Sequence, residues 1–259
     1  MTDFTPFSFH LEPADQRAVQ LGLVTLKTDL TIETELRHFI GDSTVRGKQP
    51  NIMHSRIISD DQVTTSNLDA MQDQFAASLD MFPPDHEFDV IGYGCTSASL
   101  VIGETKVQSL ISAHRTVKHV TTPLTGARRA MHALGAKRIG YLAPYISEIS
   151  EKMCALLAHD GFDIVAAGTF GEGRDSIVGQ IEGASIVQAL CGLAAQAMTP
   201  LDAIFVSCTA LKCAPVIDAA ERQIGVPIVT SNAALSWDMA RLAGLTVPPA
   251  GKGRLFHQN

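Results

Sequence analysis

Two cysteines stand in matching surroundings half a chain apart. The stretch Asp89-Val90-Ile91-Gly92-Tyr93-Gly94-Cys95-Thr96-Ser97-Ala98-Ser99 is an apolar run that stops at a cysteine and continues into small hydroxylated residues. The stretch Asp202-Ala203-Ile204-Phe205-Val206-Ser207-Cys208-Thr209-Ala210 repeats the order Asp, one apolar residue, Ile, three residues, Cys-Thr. A thiol between a strand end and a helix N-terminus meets unpaired backbone N–H groups and the positive end of the helix dipole, and both favour thiolate. A single free cysteine is more often a small apolar packing residue. Two at equivalent positions, each followed by Thr, point instead to a pair of acid/base or nucleophilic groups. Cys154, Cys191 and Cys213 have no such counterparts and read as packing residues.

The neighbouring donors fit the same chemistry. Backbone N–H groups and hydroxyls at Thr96, Ser97 and Thr209 would hold a carboxylate whose charge grows as an enediolate forms. Helix capping accounts for the same residues and is compatible with that role. Asp29 follows the first apolar run, and Asp175 closes the loop Gly171-Glu172-Gly173-Arg174-Asp175. Acids in such places commonly cap loops. Tyr145 lies just past Ala143 and is equally often a half-buried core tyrosine. The glycine loop at 168–173 lacks both the Lys-Ser/Thr of a phosphate loop and dinucleotide spacing. The cysteine spacings match no tetrahedral zinc site, and the nine histidines form no H-x-x-x-H pair.

These residues need a scaffold that brings two strand ends together. Apolar runs predict strands over 20–26, 52–58, 88–93 and 117–120, then over 138–143, 163–168, 203–207 and 227–229. Helical spacing predicts helices over 32–37, 67–82, 100–113 and 124–134, then over 147–159, 180–198, 210–223 and 232–242. Strands alternating with helices imply parallel sheets covered on both faces. The repeat implies an α/β protein of two pseudo-symmetric, doubly wound, Rossmann-like or flavodoxin-like halves, residues 1–136 and 137–259, with the active site between them. The last helix of the first half is a candidate for swapping across. Ligands bind beyond the carboxyl ends of such strands, where both cysteines fall.

Composition sets the outer limits. The 259 residues are 46% hydrophobic and 18% charged, which is globular usage. A formal net charge of -7 disfavours nucleic acid and anionic membrane as partners. The first residues show no basic region before an apolar core, and no apolar run approaches the roughly 18 residues a membrane span needs. Five cysteines without a C-x-x-C pair predict reduced thiols in a cytoplasm.

The layout resembles the aspartate/glutamate racemase superfamily over nearly the whole chain. It is most similar to the branch of maleate cis-trans isomerases, arylmalonate decarboxylases and ectoine-utilisation proteins. Three stretches carry the likeness: Gly92 to Ser99, Arg138-Ile139-Gly140-Tyr141-Leu142-Ala143-Pro144-Tyr145, and Ser207-Cys208-Thr209. The resemblance implies chemistry without a cofactor at a carbon beside a carboxylate, with Cys95 and Cys208 on opposite faces. In the racemases one thiolate takes the α-proton and the other thiol returns one; in maleate isomerases the first cysteine adds to the double bond and the second supplies a proton. Arylmalonate decarboxylases keep only the second cysteine, so Cys95 argues against that activity. Thr96, Ser97 and Tyr145 match carboxylate-holding positions, with Thr209 and Ala210 beside the second thiol. A homodimer or higher homo-oligomer is implied as well.

Two departures from the maleate isomerases bear on substrate. Asp29 stands where those enzymes carry Asn, and Asp175 corresponds to a second substrate-contacting Asn. A carboxylate repels a dicarboxylate substrate and attracts an ammonium group. The form Thr28-Asp29-Leu30-Thr31-Ile32-Glu33 is closer to the ectoine-utilisation members. The expected activity is therefore a racemase or epimerase of a small amino-bearing acid, a diaminobutyrate derivative of ectoine breakdown. The alternatives are a maleate isomerase and a non-catalytic binding protein that keeps the cleft.

Overall fold

A computed structural model of the chain describes residues 2, 4–13 and 16–258. The first half runs β1 (Gln20–Leu26), α1 (Ile32–Ile40), β2 (Asn51–Ile57), α2 (Thr65–Ala70), α3 (Phe75–Leu79), β3 (Phe88–Gly94), α4 (Thr96–Ile102), α5 (Glu104–His114), β4 (Val117–Thr121) and α6 (Pro123–Ala133). The second runs β5 (Arg138–Ala143), α7 (Ser147–His159), β6 (Asp163–Thr169), α8 (Asp175–Val178), α9 (Gly183–Gln196), β7 (Ala203–Val206), α10 (Ile217–Ile224), β8 (Ile228–Thr230) and α11 (Ser231–Ala243). Each half forms a four-stranded sheet, ordered β2-β1-β3-β4 and β6-β5-β7-β8, and every pairing is parallel. Among the described residues no helix is long and apolar enough to cross a membrane.

The strands are near-continuous apolar runs because helices cover both faces. In β1 six of seven residues, Leu21 to Leu26, are buried. In both sheets the chain leaves the second-listed strand to one side and returns on the other. That creates a switch point between β1 and β3, and another between β5 and β7. Crevices at the carboxyl ends of such switch points are where open α/β sheets bind ligands.

Three helix expectations are corrected by local backbone. The span 100–113 is two helices, α4 and α5, split where Gly103 takes φ of 87°. The span 67–82 is α2 and α3 joined by a 3-10 turn at Met71–Gln74. Residues 210–216 are irregular, and α10 starts only at Ile217. Pro215 lacks an N–H and disfavours helical backbone before it, which keeps the segment after Cys208 out of the helix.

Helix α11 crosses from the second half onto the first, packing on α1, α6 and β3. Every residue from Ser231 to Ala240 is buried, so the helix is covered all round. Its approach to α6 depends on Gly126. A Cβ there would sit 2.5 Å from the Ala234 carbonyl oxygen, a backbone atom that cannot step aside, whereas one at Gly92 would meet the flexible Met239 sulfur at 2.7 Å. Gly126→Ala is therefore expected to lower stability by about 1–3 kcal/mol through overpacking, despite alanine's better helix propensity. Gly92→Ala should cost less. Urea denaturation of the two variants checks the order.

Candidate active site

Cys95 ends β3 and occupies the N-cap of α4, where its thiol takes the place of a capping hydroxyl. Its Sγ accepts from the Ala98 N–H at 3.3 Å and lies 3.6 Å from Ser97 Oγ. Cys208 follows β7 with φ of 112°, left-handed backbone that residues with a Cβ rarely adopt. Both thiols are buried, at 3% and 6% exposure.

The switch points supply the other groups. Asp29 sits in the turn after β1, the strand beside β3, and its Oδ1 accepts from the Thr31 and Ile32 N–H groups at 2.7 and 2.9 Å. Its other oxygen, Oδ2, is buried and has no hydrogen-bond partner. The nearby Thr209 hydroxyl donates instead to the Gly94 carbonyl at 3.3 Å. Asp175 opens α8, and its Oδ2 accepts from the Thr28 hydroxyl at 3.1 Å, so the second half reaches the turn that carries Asp29. Tyr145, just after β5, is fully buried, with its hydroxyl 3.5 Å from Ser207 Oγ.

The charges of these groups act on one another. Burial pushes the Cys95 thiol up to about 12; the Ala98 N–H works against it, and the charge of Asp175 adds to it. Burial raises Cys208 well above the usual thiol range, reinforced by Asp175, Asp29 and Cys95, while the Ala210 N–H works the other way. Burial also raises Asp29, against the pull of its backbone N–H donors, and raises Asp175 to about 7 against the Thr28 hydroxyl. The helix end at Cys95 favours thiolate, as expected from sequence, but desolvation and two carboxyls outweigh it. At neutral pH both thiols are held in the neutral form.

Of the expected residues, Cys95, Cys208, Asp29, Asp175, Ser97, Thr209, Ala210 and Tyr145 meet at this junction. Thr96 differs in role. Its hydroxyl donates to Ser231 Oγ at 2.8 Å, and that oxygen also accepts from the Cys208 N–H at 3.0 Å. The Thr96 hydroxyl therefore ties the two cysteine segments together, leaving its backbone N–H in the first turn of α4 for an anion. Ala210 contributes main chain, with its carbonyl accepting from Thr31 Oγ1 at 2.8 Å.

Sequence reasoning missed Ser231, Asn232 and Glu35, all buried. Asn232 donates to the Thr209 carbonyl and to Glu35 Oε2, each at 2.8 Å. The signal for Glu35 was present: it shares the apolar stripe of α1 with Ile32, Leu36, Phe39 and Ile40, a place where a carboxylate needs partners.

The junction is closed over. Asp61 receives the Asp175 N–H on its carbonyl at 3.0 Å and the Ser176 N–H and hydroxyl on its carboxylate at 2.8 and 2.9 Å. The crevice left beside Ser97 and Asp175 holds about 10 Å³, no more than one water requires. A roomier crevice, between Arg17, His86 and Lys118, lies at the opposite ends of the strands, away from the thiols.

A family model described as arylmalonate decarboxylase matches residues 62–256. This chain belongs to that family. Its place is the maleate isomerase branch of the aspartate/glutamate racemase superfamily. Similar proteins include a maleate isomerase of Nocardia farcinica, 26% identical over 93% of this chain and 96% of that one. An arylmalonate decarboxylase of Bordetella bronchiseptica is 32% identical over 54% of this chain and 58% of its own length. In fold the chain resembles the Nocardia farcinica maleate cis-trans isomerase in a mutant carrying a covalently bound succinylcysteine intermediate, with a TM-score of 0.82 at 24% identity over 94% of this chain and all of that one. The chain is thus an isomerase-like enzyme of the maleate isomerase and arylmalonate decarboxylase type.

Because the Asp175 charge raises both thiols, Asp175→Asn should speed alkylation of Cys95 and Cys208 together. The size of the effect depends on pH. Above about pH 7 Asp175 is charged and its removal accelerates the reaction; well below that it is already neutral and the variant should match the parent. Iodoacetamide labelling read by peptide mapping at pH 5.5 and 8.5 tests this.

Proposed function

We propose that the enzyme racemises or epimerises a small acid carrying an amino group, with Cys95 and Cys208 as the two acid/base groups. The observation that carries the reading is the pair of buried carboxyls beside the thiols, one oxygen of which, Asp29 Oδ2, has no partner. At about 4 Å and an effective dielectric near 20, one such contact is worth about 4 kcal/mol, attractive for an ammonium and repulsive for a second carboxylate. An ammonium between Asp29 and Asp175 would also cancel the charge that adds to burial in holding the thiols neutral. The substrate would then bring its own base within reach.

The steps balance without any added reagent. The thiolate of one cysteine takes the α-proton, leaving an enediolate whose carboxylate end faces the first-turn N–H groups of α4 and the hydroxyls of Ser97 and Tyr145. The thiol of the other cysteine gives a proton to the opposite face and becomes the thiolate. Because an α-proton is very weakly acidic, the preorganised donors supply much of the barrier reduction. The likeness of the Thr28–Glu33 stretch to ectoine-utilisation proteins supports a diaminobutyrate derivative as the first substrate to try.

A second reading, maleate isomerisation, is favoured by the full-length similarity to maleate isomerases. There Cys95 would add to the double bond, the carbon–carbon axis would rotate, and Cys208 would supply and recover the proton.

Incubation in deuterated water with diamino and acidic amino acids and their N-acyl forms separates the two. Deuterium at the α-carbon with loss of optical purity is the expected result. No exchange with any of them, together with conversion of maleate to fumarate, would establish the second reading. Cys95→Ser and Cys208→Ser should each lower turnover about 10²- to 10⁴-fold. Asp29→Asn should weaken KM for an amino substrate by about tenfold or more.

A further inference from the structure

Cys208 keeps a left-handed backbone conformation that persists only where its surroundings over-determine it. Three buried side chains outside the segment supply that constraint. Ser231 Oγ accepts from the Cys208 N–H at 3.0 Å. Asn232 Nδ2 donates to the Thr209 carbonyl at 2.8 Å. Glu35 Oε1 accepts from the Ala214 N–H at 2.8 Å, and its Oε2 accepts from Asn232 Nδ2 at 2.8 Å. Glu35 thus grips the segment directly at one end and through Asn232 at the other. Keeping a carboxyl at 4% exposure on an apolar stripe is costly, and its fold-level contacts would be met more cheaply by an apolar residue.

We propose that Glu35 is a positioning residue for Cys208, clamping residues 209–214 from both ends so that the left-handed thiol is held at the junction. It acts through the segment and touches no reacting atom. This inference rests on the reading of Cys208 as a reactive thiol, but not on which reaction it serves.

An isosteric change separates the clamp from simple packing. Gln at position 35 offers one acceptor and one donor where the protein presents two donors, the Ala214 N–H and the Asn232 amide. Asn232 can meet the new donor only by turning its Oδ1, now unpartnered, toward it; that takes Nδ2 away from the Thr209 carbonyl. Glu35→Gln therefore frees one end of the segment at nearly constant volume.

The test labels Glu35→Gln and the parent with iodoacetamide across pH and follows Cys208 and Cys95 as separate peptides, with amide hydrogen exchange over 208–214 alongside. The expected result is a change in the Cys208 rate of about tenfold or more and a shifted pH profile, faster exchange over 208–214, and an unchanged Cys95. Equal changes at both thiols would mean general loosening and overturn the proposal, as would no change at either. If Glu35→Gln does not give a cooperative thermal melt, Asn232→Ala, which leaves the Ala214 bond in place, must show the same selectivity; without it the proposal is overturned. Neither readout uses a substrate, so failure of the racemase reading leaves the outcome interpretable.

Discussion

The structure depends on one constraint: four acidic groups from two separate sheets share one buried volume. Cys95 and Asp29 arrive from the switch point of the first sheet, Cys208 from that of the second, and Asp175 from the helix after β6. Each thiol feels both carboxyls, and Cys208 also feels Cys95. Such crowding disfavours charge on every member: burial raises all four groups above their ordinary values, and an ionised carboxyl pushes the thiols further up. On the proposed reading, thiols held this far up would suit chemistry that moves one proton between two faces of a carbon.

Geometry must be enforced in such a place by neutral hydrogen bonds. The Ser231 hydroxyl does this between the halves, accepting from Thr96 behind one thiol and from the amide of the other. Its position follows from α11, which starts at the end of β8 in the second sheet and lies along β3 and α1 of the first. Gly126 is what lets α6 come close enough to hold that helix. Remote packing and the spacing of the cysteines are therefore one problem, solved by the same helix.

Much of this was legible in the residues. Parallel strands buried on both faces read as apolar runs, so the bounds of β1 and β5 are those expected, and the paired Cys-Thr motifs located both switch points. The helices that differed did so where a single residue overrides periodicity, as Gly103 does between α4 and α5 and Pro215 before α10. The polar core of the site was less legible, because hydrogen-bond partners of Ser231 and Asn232 lie far away in sequence and leave no periodic trace. Glu35 alone among them carried a local sign, an acid in an apolar stripe.

The acidity of the thiols follows from the same balance. A cysteine at a helix N-cap is commonly lowered, and here the Ala98 N–H does pull Cys95 down. That contribution comes from one partial charge at 3.3 Å, whereas desolvation acts on the whole sulfur and Asp175 contributes a full charge once ionised. Replacing the carboxyls by amides would remove the part of the rise that comes from charge and leave the part that comes from burial. Keeping them adds a charge that a bound cation would offset. On the proposed reading the Asp29 and Asp175 pair would act twice on substrate choice, by attracting an ammonium and by easing ionisation of the thiols once one is bound, which is why that reading takes an amino-bearing acid over a dicarboxylate.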